Sequence, residues 1–358
     1  LLRPHGCDKL ALYRHFVVLL PLLVLLSGCA GGSKNPLSGA PPTIEPAQAA
    51  QSPPAAQTPA GSVRPLHGNA AAAIFDGGTH QLAVLVPGAD PAAPASLAEF
   101  GDPQVTPRVI ALPGPATALT GDGRGTAYLA TRGGYFAVDL AAGHTTPVPV
   151  ANAQQTEFTA IAQRADGRLV LGSADGAIYT FTSRTPDSAR SATIGSRNKI
   201  FARVDYLATQ GNTTVVLDRG QTSVTTIGAE GRVEQALRAG EGATTLAADP
   251  QGRVLVADTR GGQLLVYGVG PLILRQAFPV RQAPYGLAGS HGLTWVSQTA
   301  ANVVIGYDLS TGIPVERVRY PTVQQPNSLA FDEASDTLYV VSGSGAGVQI
   351  IEHAAGAR

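Results

Sequence analysis

The stretch Thr245-Leu-Ala-Ala-Asp-Pro-Gln-Gly-Arg-Val-Leu-Val-Ala-Asp258 holds two short apolar runs around a turn. It recurs as Gly286-Leu-Ala-Gly-Ser-His-Gly-Leu-Thr-Trp-Val296 and as Ser328-Leu-Ala-Phe-Asp-Glu-Ala-Ser-Asp-Thr-Leu-Tyr-Val-Val341. A third apolar run follows each copy: Gln263–Tyr267, Val303–Tyr307 and Val348–Ile351. Runs this short, rich in Val, Ile and Leu and bounded by Asp/Gly turns, read as strands. Asp122-Gly-Arg, Asp166-Gly-Arg and Gln251-Gly-Arg supply the turns that join first strands to second strands.

Weaker copies open near Ala73, Leu119, Ile161 and Tyr206. With Leu246, Leu287 and Leu329 these anchors fall 40 to 46 residues apart. A period of that length with three or four strands per unit predicts an all-β chain built as a β-propeller. Seven units give seven blades. Six is the alternative count, because the first and fourth units are degenerate. One blade has two apolar faces and is unstable alone, so the blades must stack around an axis. The last unit ends after its third strand, and Ser62-Val-Arg-Pro-Leu66 resembles the outer-strand segments that precede other units. These residues are expected to complete blade seven.

The chain has 358 residues with 25 basic and 25 acidic side chains. That balance argues against nucleic acid, which calls for a basic field. The first residues carry Arg3, Lys9 and Arg14, followed by the apolar run Phe16–Leu26, which is too short for a transmembrane helix. Such an arrangement is a secretory signal. Leu26-Ser27-Gly28-Cys29 then resembles the lipobox of bacterial lipoproteins. The resemblance implies cleavage after Gly28, acyl chains such as palmitate on Cys29, and a chain held at the extracytoplasmic face of the cell membrane. Residues 29–62, rich in Pro, Ala, Gln and Ser, read as a disordered spacer reaching roughly 100 Å at most. The propeller is placed at 63–353 and a short tail at 354–358.

The repeat pattern is similar to that of YncE-like and NHL-type propellers. With the lipobox and the Ala/Pro linker, the chain resembles actinobacterial, LppL-like lipoproteins. That resemblance implies an exported protein with no assigned reaction, since propellers host many activities.

Chemistry-bearing motifs are sparse. His67, His80, His144, His291 and His353 fall in different units without metal-ligand spacing. Asp76, Asp249 and Asp332 share one repeat position, where a ring of carboxylates would suit Ca²⁺. Turn capping explains them more simply, and no resident metal or other cofactor is expected. No catalytic set emerges.

The loops leading into the innermost strands and those joining second to third strands share one face. They collect Phe158, Arg203, Tyr285 and Asn327 from the first set and Arg132, Arg219 and Arg260 from the second. These seven form the candidate binding face, with the arginines aimed at an anionic group in the central funnel. The basic segment 184–203 is a second patch, suited to anionic lipid headgroups. The expected role is a binding or scaffold module for an envelope protein, peptide or glycan. The alternative is a lactonase-like hydrolase or an oxidoreductase working in the funnel.

Overall fold

In the computed structural model, residues 42–182 and 191–356 are described. The signal segment, the lipobox residues Leu26, Ser27 and Gly28, and Cys29 itself lie outside them, as does part of the 184–203 patch. Among the described residues there is no helix, and all strands fall into seven four-stranded antiparallel sheets. The protein is a seven-bladed β-propeller, and the six-bladed count is excluded. Blades one to six span residues 72–111, 118–149, 158–199, 206–238, 243–279 and 284–321 in chain order. Blade seven takes three strands from 326–351 and its outer strand from Ser62–Arg64.

The closing strand pairs as expected, Ser62 opposite Ile350, Val63 opposite Gln349 and Arg64 opposite Val348. Arg64 then reaches into blade one. One guanidinium nitrogen donates to the Gly101 carbonyl at 3.2 Å, and the group lies over the Phe100 ring, 5.2 Å from its centroid. Leu66 packs with Leu82, Val84 and Val348 in the interface between blades seven and one. A few residues therefore complete one sheet and fasten it to the next. The far end of the chain is also anchored: Ala354 is fully buried, and its carbonyl accepts from the Tyr320 hydroxyl at 2.8 Å.

The core is a ring of seven apolar clusters, one at each boundary between blades. Between blades two and three, for example, Tyr128, Tyr135 and Val148 meet Phe158, Leu171 and Phe181. Between blades six and seven, Trp295 stacks on Phe331 at 5.7 Å. Second and third strands are buried on both faces, which explains their unbroken apolar runs, whereas outer strands such as Val233–Arg238 are exposed. Side-chain hydroxyls add bonds across the same boundaries. Thr117 donates to the Phe158 carbonyl at 2.7 Å, Thr159 to Val204 at 2.6 Å, and Ser297 to Pro326 at 2.5 Å. At Gly172 a methyl group would sit 2.1 Å from the Val204 side chain, so blades three and four approach too closely there for any other residue.

The spacer expectation needs correction over its second half. Residues 42–61 have no regular structure but lie along the second-to-third-strand turns of blades four to six and the loop that leads into blade seven. The Ile44 amide donates to the Gly220 carbonyl at 2.8 Å. Ser52 exchanges three hydrogen bonds, with the Gln325 side chain, the Gln325 amide and the Thr299 carbonyl. Asn302 and Gln324 donate to the Pro53 carbonyl at 2.8 and 2.9 Å. Composition predicts disorder because the segment has little to bury; it is held instead through its own carbonyls, which every sequence possesses.

A chain beginning at His67 lacks this strap and the closing strand. It should unfold with a stability loss of roughly 3 kcal/mol or more relative to one beginning at Pro42, since Leu66 burial alone supplies about 2 kcal/mol. Denaturant unfolding of the two chains measures the difference.

Candidate functional site

The register in each sheet sets the start of the inner strand beside the end of the second strand, as with Tyr206 opposite Leu217 and Phe158 opposite Ser173. The two loop sets therefore share one face, and at its centre opens a funnel of about 450 Å³. Its walls carry one aliphatic side chain per blade, from Ala73 through Leu119, Ile161, Leu207, Leu246 and Leu287 to Leu329. Nearer the mouth it is lined by Ala70, Ala71, Thr117, Thr159, Tyr285 and Asn327. The charged residues lining it are Arg203, Asp205 and Arg219, all from blade four.

Blade four holds this cluster through Asp218, a fully buried carboxylate at the end of its second strand. One oxygen accepts from the Ala202 and Arg203 amides at 2.7 and 3.3 Å, and the other accepts from the Gln221 amide at 2.9 Å. The loop bearing Arg203 and the turn bearing Arg219 are thus fixed to one point. Asp205 accepts from the Arg219 amide at 2.8 Å and pairs with the Arg203 guanidinium at 3.4 Å. Burial raises the Asp205 carboxyl above the ordinary carboxylate range, against the opposing pull of that amide and of both arginines. Burial likewise raises the Tyr206 phenol, which lies beside Tyr285 and enters the site as a neutral hydroxyl.

Of the seven residues expected on the face, four line the funnel: Arg203, Arg219, Tyr285 and Asn327. Three do not. Phe158 is fully buried between blades two and three, edge-on to Tyr179 at 5.2 Å, and serves the core. Its place at the start of an inner strand looks like a loop position in the sequence, but a bulge between Phe158 and Ala160 turns it inward. Arg132 pairs with Glu157 through the main chain, beside a separate hollow that both line with Asn152, Gln154 and Asp175. Arg260 is exposed at the rim, where it donates to the Glu45 carbonyl at 2.7 Å. Arg219 also meets the strap, donating to the Ala47 carbonyl, while its Nε is buried without a partner. Two of the three arginines expected to await an anion thus already hold main-chain oxygens.

Tyr206 and the aliphatic ring were missed. The anchor positions of the repeat carried the signal, since one aliphatic residue per unit at the same place must encircle the axis.

The aspartates at the opposite ends of the inner strands work as turn caps. Asp76 accepts from Thr79 at 2.8 Å and from the Gly125 amide of blade two at 3.0 Å. Asp249 accepts from Gln251 at 2.6 Å and Arg253 at 2.7 Å, and Asp332 from Ala334 at 3.0 Å. Among the described residues no group of three metal-ligating side chains converges. In the 184–203 patch, Arg197 and Lys199 both pair with Asp175, at 3.6 and 2.8 Å, which leaves less free positive charge than the sequence suggests.

No known family profile matches the chain, and no curated protein does. Solved structures do resemble it in fold. A chain of the mitotic checkpoint complex superposes with a TM-score of 0.68 at 13% identity, covering 87% of this chain and 99% of that one. A catalytically inactive virginiamycin B lyase from Staphylococcus aureus with quinupristin gives 0.62 at 13%, covering 81% and 97%. Hydrazine synthase of Kuenenia stuttgartiensis gives 0.62 at 12%, covering 79% and 95%. These likenesses establish the propeller alone.

Two outcomes test the construction of the site. Asp218→Ala leaves buried amides unpaired and should cost about 3 kcal/mol in denaturant unfolding. Asp205→Asn removes a carboxyl that is raised by folding. Such a group makes the native state bind protons more readily than the unfolded chain, so its ionisation lowers stability as pH rises through the folded value. The stability of the variant relative to the parent should therefore improve from about pH 4 to about pH 7, read from paired melting curves.

Proposed function

We propose that the protein is an exported, lipid-anchored propeller acting as a binding module at the cell envelope, with its funnel face as the binding surface. The observation that carries the binding part is the mouth of the funnel. Two guanidiniums on loops that Asp218 fixes, one carboxylate beside them, and two phenols from the inner strands of blades four and six are gathered there, above walls of small and aliphatic residues. A rigid concave site with a few convergent polar groups is the usual form of a ligand pocket. The virginiamycin lyase structure includes quinupristin, and the present fold is compatible with a ligand on the same kind of scaffold.

The anchoring part rests on Leu26-Ser-Gly-Cys29 after a basic and then apolar leader. These residues, with the repeat pattern, also support placing the chain among LppL-like lipoproteins. More than one acyl chain on Cys29 gives stable attachment, where a single chain gives marginal binding. The partner would be an envelope protein, peptide or glycan, or a small molecule. Among the described residues, Asp205 is the one carboxylate lining the funnel. A lactonase-like hydrolase would draw on several carboxylates converging at the axis, so binding is the better reading.

Cells expressing the full chain and fed an alkyne-tagged palmitate should label the parent protein and leave Cys29→Ser unlabelled, with that variant moving from the membrane to the soluble fraction. Labelling of Cys29→Ser, or membrane retention without Cys29, would sink the anchoring reading. For the binding reading, photo-crosslinkers placed at Asn327 in intact cells should capture a ligand that Ala71→Trp, which fills the funnel, excludes. Capture that Ala71→Trp leaves unchanged would move binding away from this face.

A further inference from the structure

We infer that the funnel binds an aliphatic carboxylate, the carboxyl at the Arg203–Arg219 side of the mouth and the alkyl chain along the ring of aliphatic residues below. The inference names the ligand class of the proposed binding face and rests on that reading.

Three observations lead to it. The charge at the mouth is unbalanced: two guanidiniums face one carboxylate, and among the described residues no other charged side chain lines the cavity. With Asp205 ionised the excess is one positive charge, which matches a monoanion. Arg203 is about half exposed, with only a 3.4 Å pairing to Asp205, and can still present donors to a carboxylate. Arg219 is tied by one nitrogen to the Ala47 carbonyl while its Nε is buried with no partner, so its charge stays in place behind Arg203.

The second observation is polarity along the axis. In blade four, Asp205 at the mouth is followed two residues later by Leu207, roughly 7 Å further along the strand. The same step leads from Thr117 to Leu119, from Thr159 to Ile161, from Tyr285 to Leu287 and from Asn327 to Leu329. Five of the seven blades thus pass from a polar residue to an aliphatic one at the same depth. A ligand that is polar throughout leaves this ring unused, and a wholly apolar one leaves the arginines unused.

The third observation is the charge asymmetry around the rim. All three charged groups come from blade four, so the head group has one place to sit and the chain must run past it down the axis. Burial raises the Tyr206 phenol, so it adds no competing anion.

The test uses the purified full chain and four probes read by isothermal titration: octanoate, acetate, methyl octanoate and octyl phosphate. Octanoate should bind at least tenfold more tightly than acetate, which lacks the chain, and than methyl octanoate, which lacks the charge. Arg203→Gln should weaken octanoate tenfold or more and leave methyl octanoate unchanged. Ala71→Trp, at an exposed lining position that tolerates a larger side chain, should abolish binding of both at unchanged melting temperature. Equal affinity for octanoate and methyl octanoate would overturn the charge assignment, and preference for octyl phosphate over octanoate would overturn the carboxylate. Equal affinity for acetate and octanoate would overturn the alkyl chain. Absence of octanoate binding, with crosslinked capture at Asn327 still blocked by Ala71→Trp, would overturn this ligand class and leave the binding module standing. Loss of that block as well would remove both.

Discussion

A blade of this protein has two apolar faces and can cover them only against its neighbours, so the molecule depends on the ring being closed. Closure falls to Ser62–Arg64, three residues that pair with the last strand of the chain. Gln349 marks how tightly that corner is built. Fully buried opposite Val63, its side chain donates to the Ala60 and Pro321 carbonyls at 2.7 and 3.0 Å and accepts from the Val323 amide at 3.1 Å. One amide therefore joins the incoming strap, blade six and blade seven. Without it, the Val323 amide would lose the partner that Gln349 supplies, so the closing strand is specified by hydrogen bonding as well as by its apolar neighbours.

The same economy governs the loops. The residue ending each second strand commonly fixes the surrounding turns: Asp218 in blade four, Asp258 in blade five, and hydroxyls at Ser173, Ser297 and Ser342. Asp258 shows why glycine flanks such a position. Gly240 has φ near +70° and a methyl there would lie 2.0 Å from the carboxylate, so the turn closes around Asp258 only because Gly240 has no side chain. Blade five repeats the scaffold of blade four without aiming charges at the axis. The charged mouth is thus a local addition to a common frame.

The repeat, the seven blades and the closing strand were legible in the sequence because they follow from periodic apolar runs and turn residues, which are local. Blade boundaries held even in the degenerate first and fourth units, since the spacing survives where the motif fades. The site was legible only in part. Arg203, Arg219, Tyr285 and Asn327 reach the funnel because loop position suffices to place them. Phe158 does not, because a bulge, invisible in one sequence, turns it into the core. Arg260 fails for a different reason: its partner is a main-chain carbonyl more than two hundred residues away, and carbonyls carry no sequence signal.

The strap has a mechanical consequence. Its first contacts are with blades four and five, through Ile44, Glu45 and Ala47, and its later ones with blades six and seven, so tension on the N-terminal side is met first at Ile44 and last at Ser62–Arg64. A pull from that side opens the polar contacts one at a time, in the manner of a peeled tape, and the three-residue seam feels the load only after the rest has let go. The strap is thus a shock absorber in series with the seam, and the ring stays shut while it is being spent.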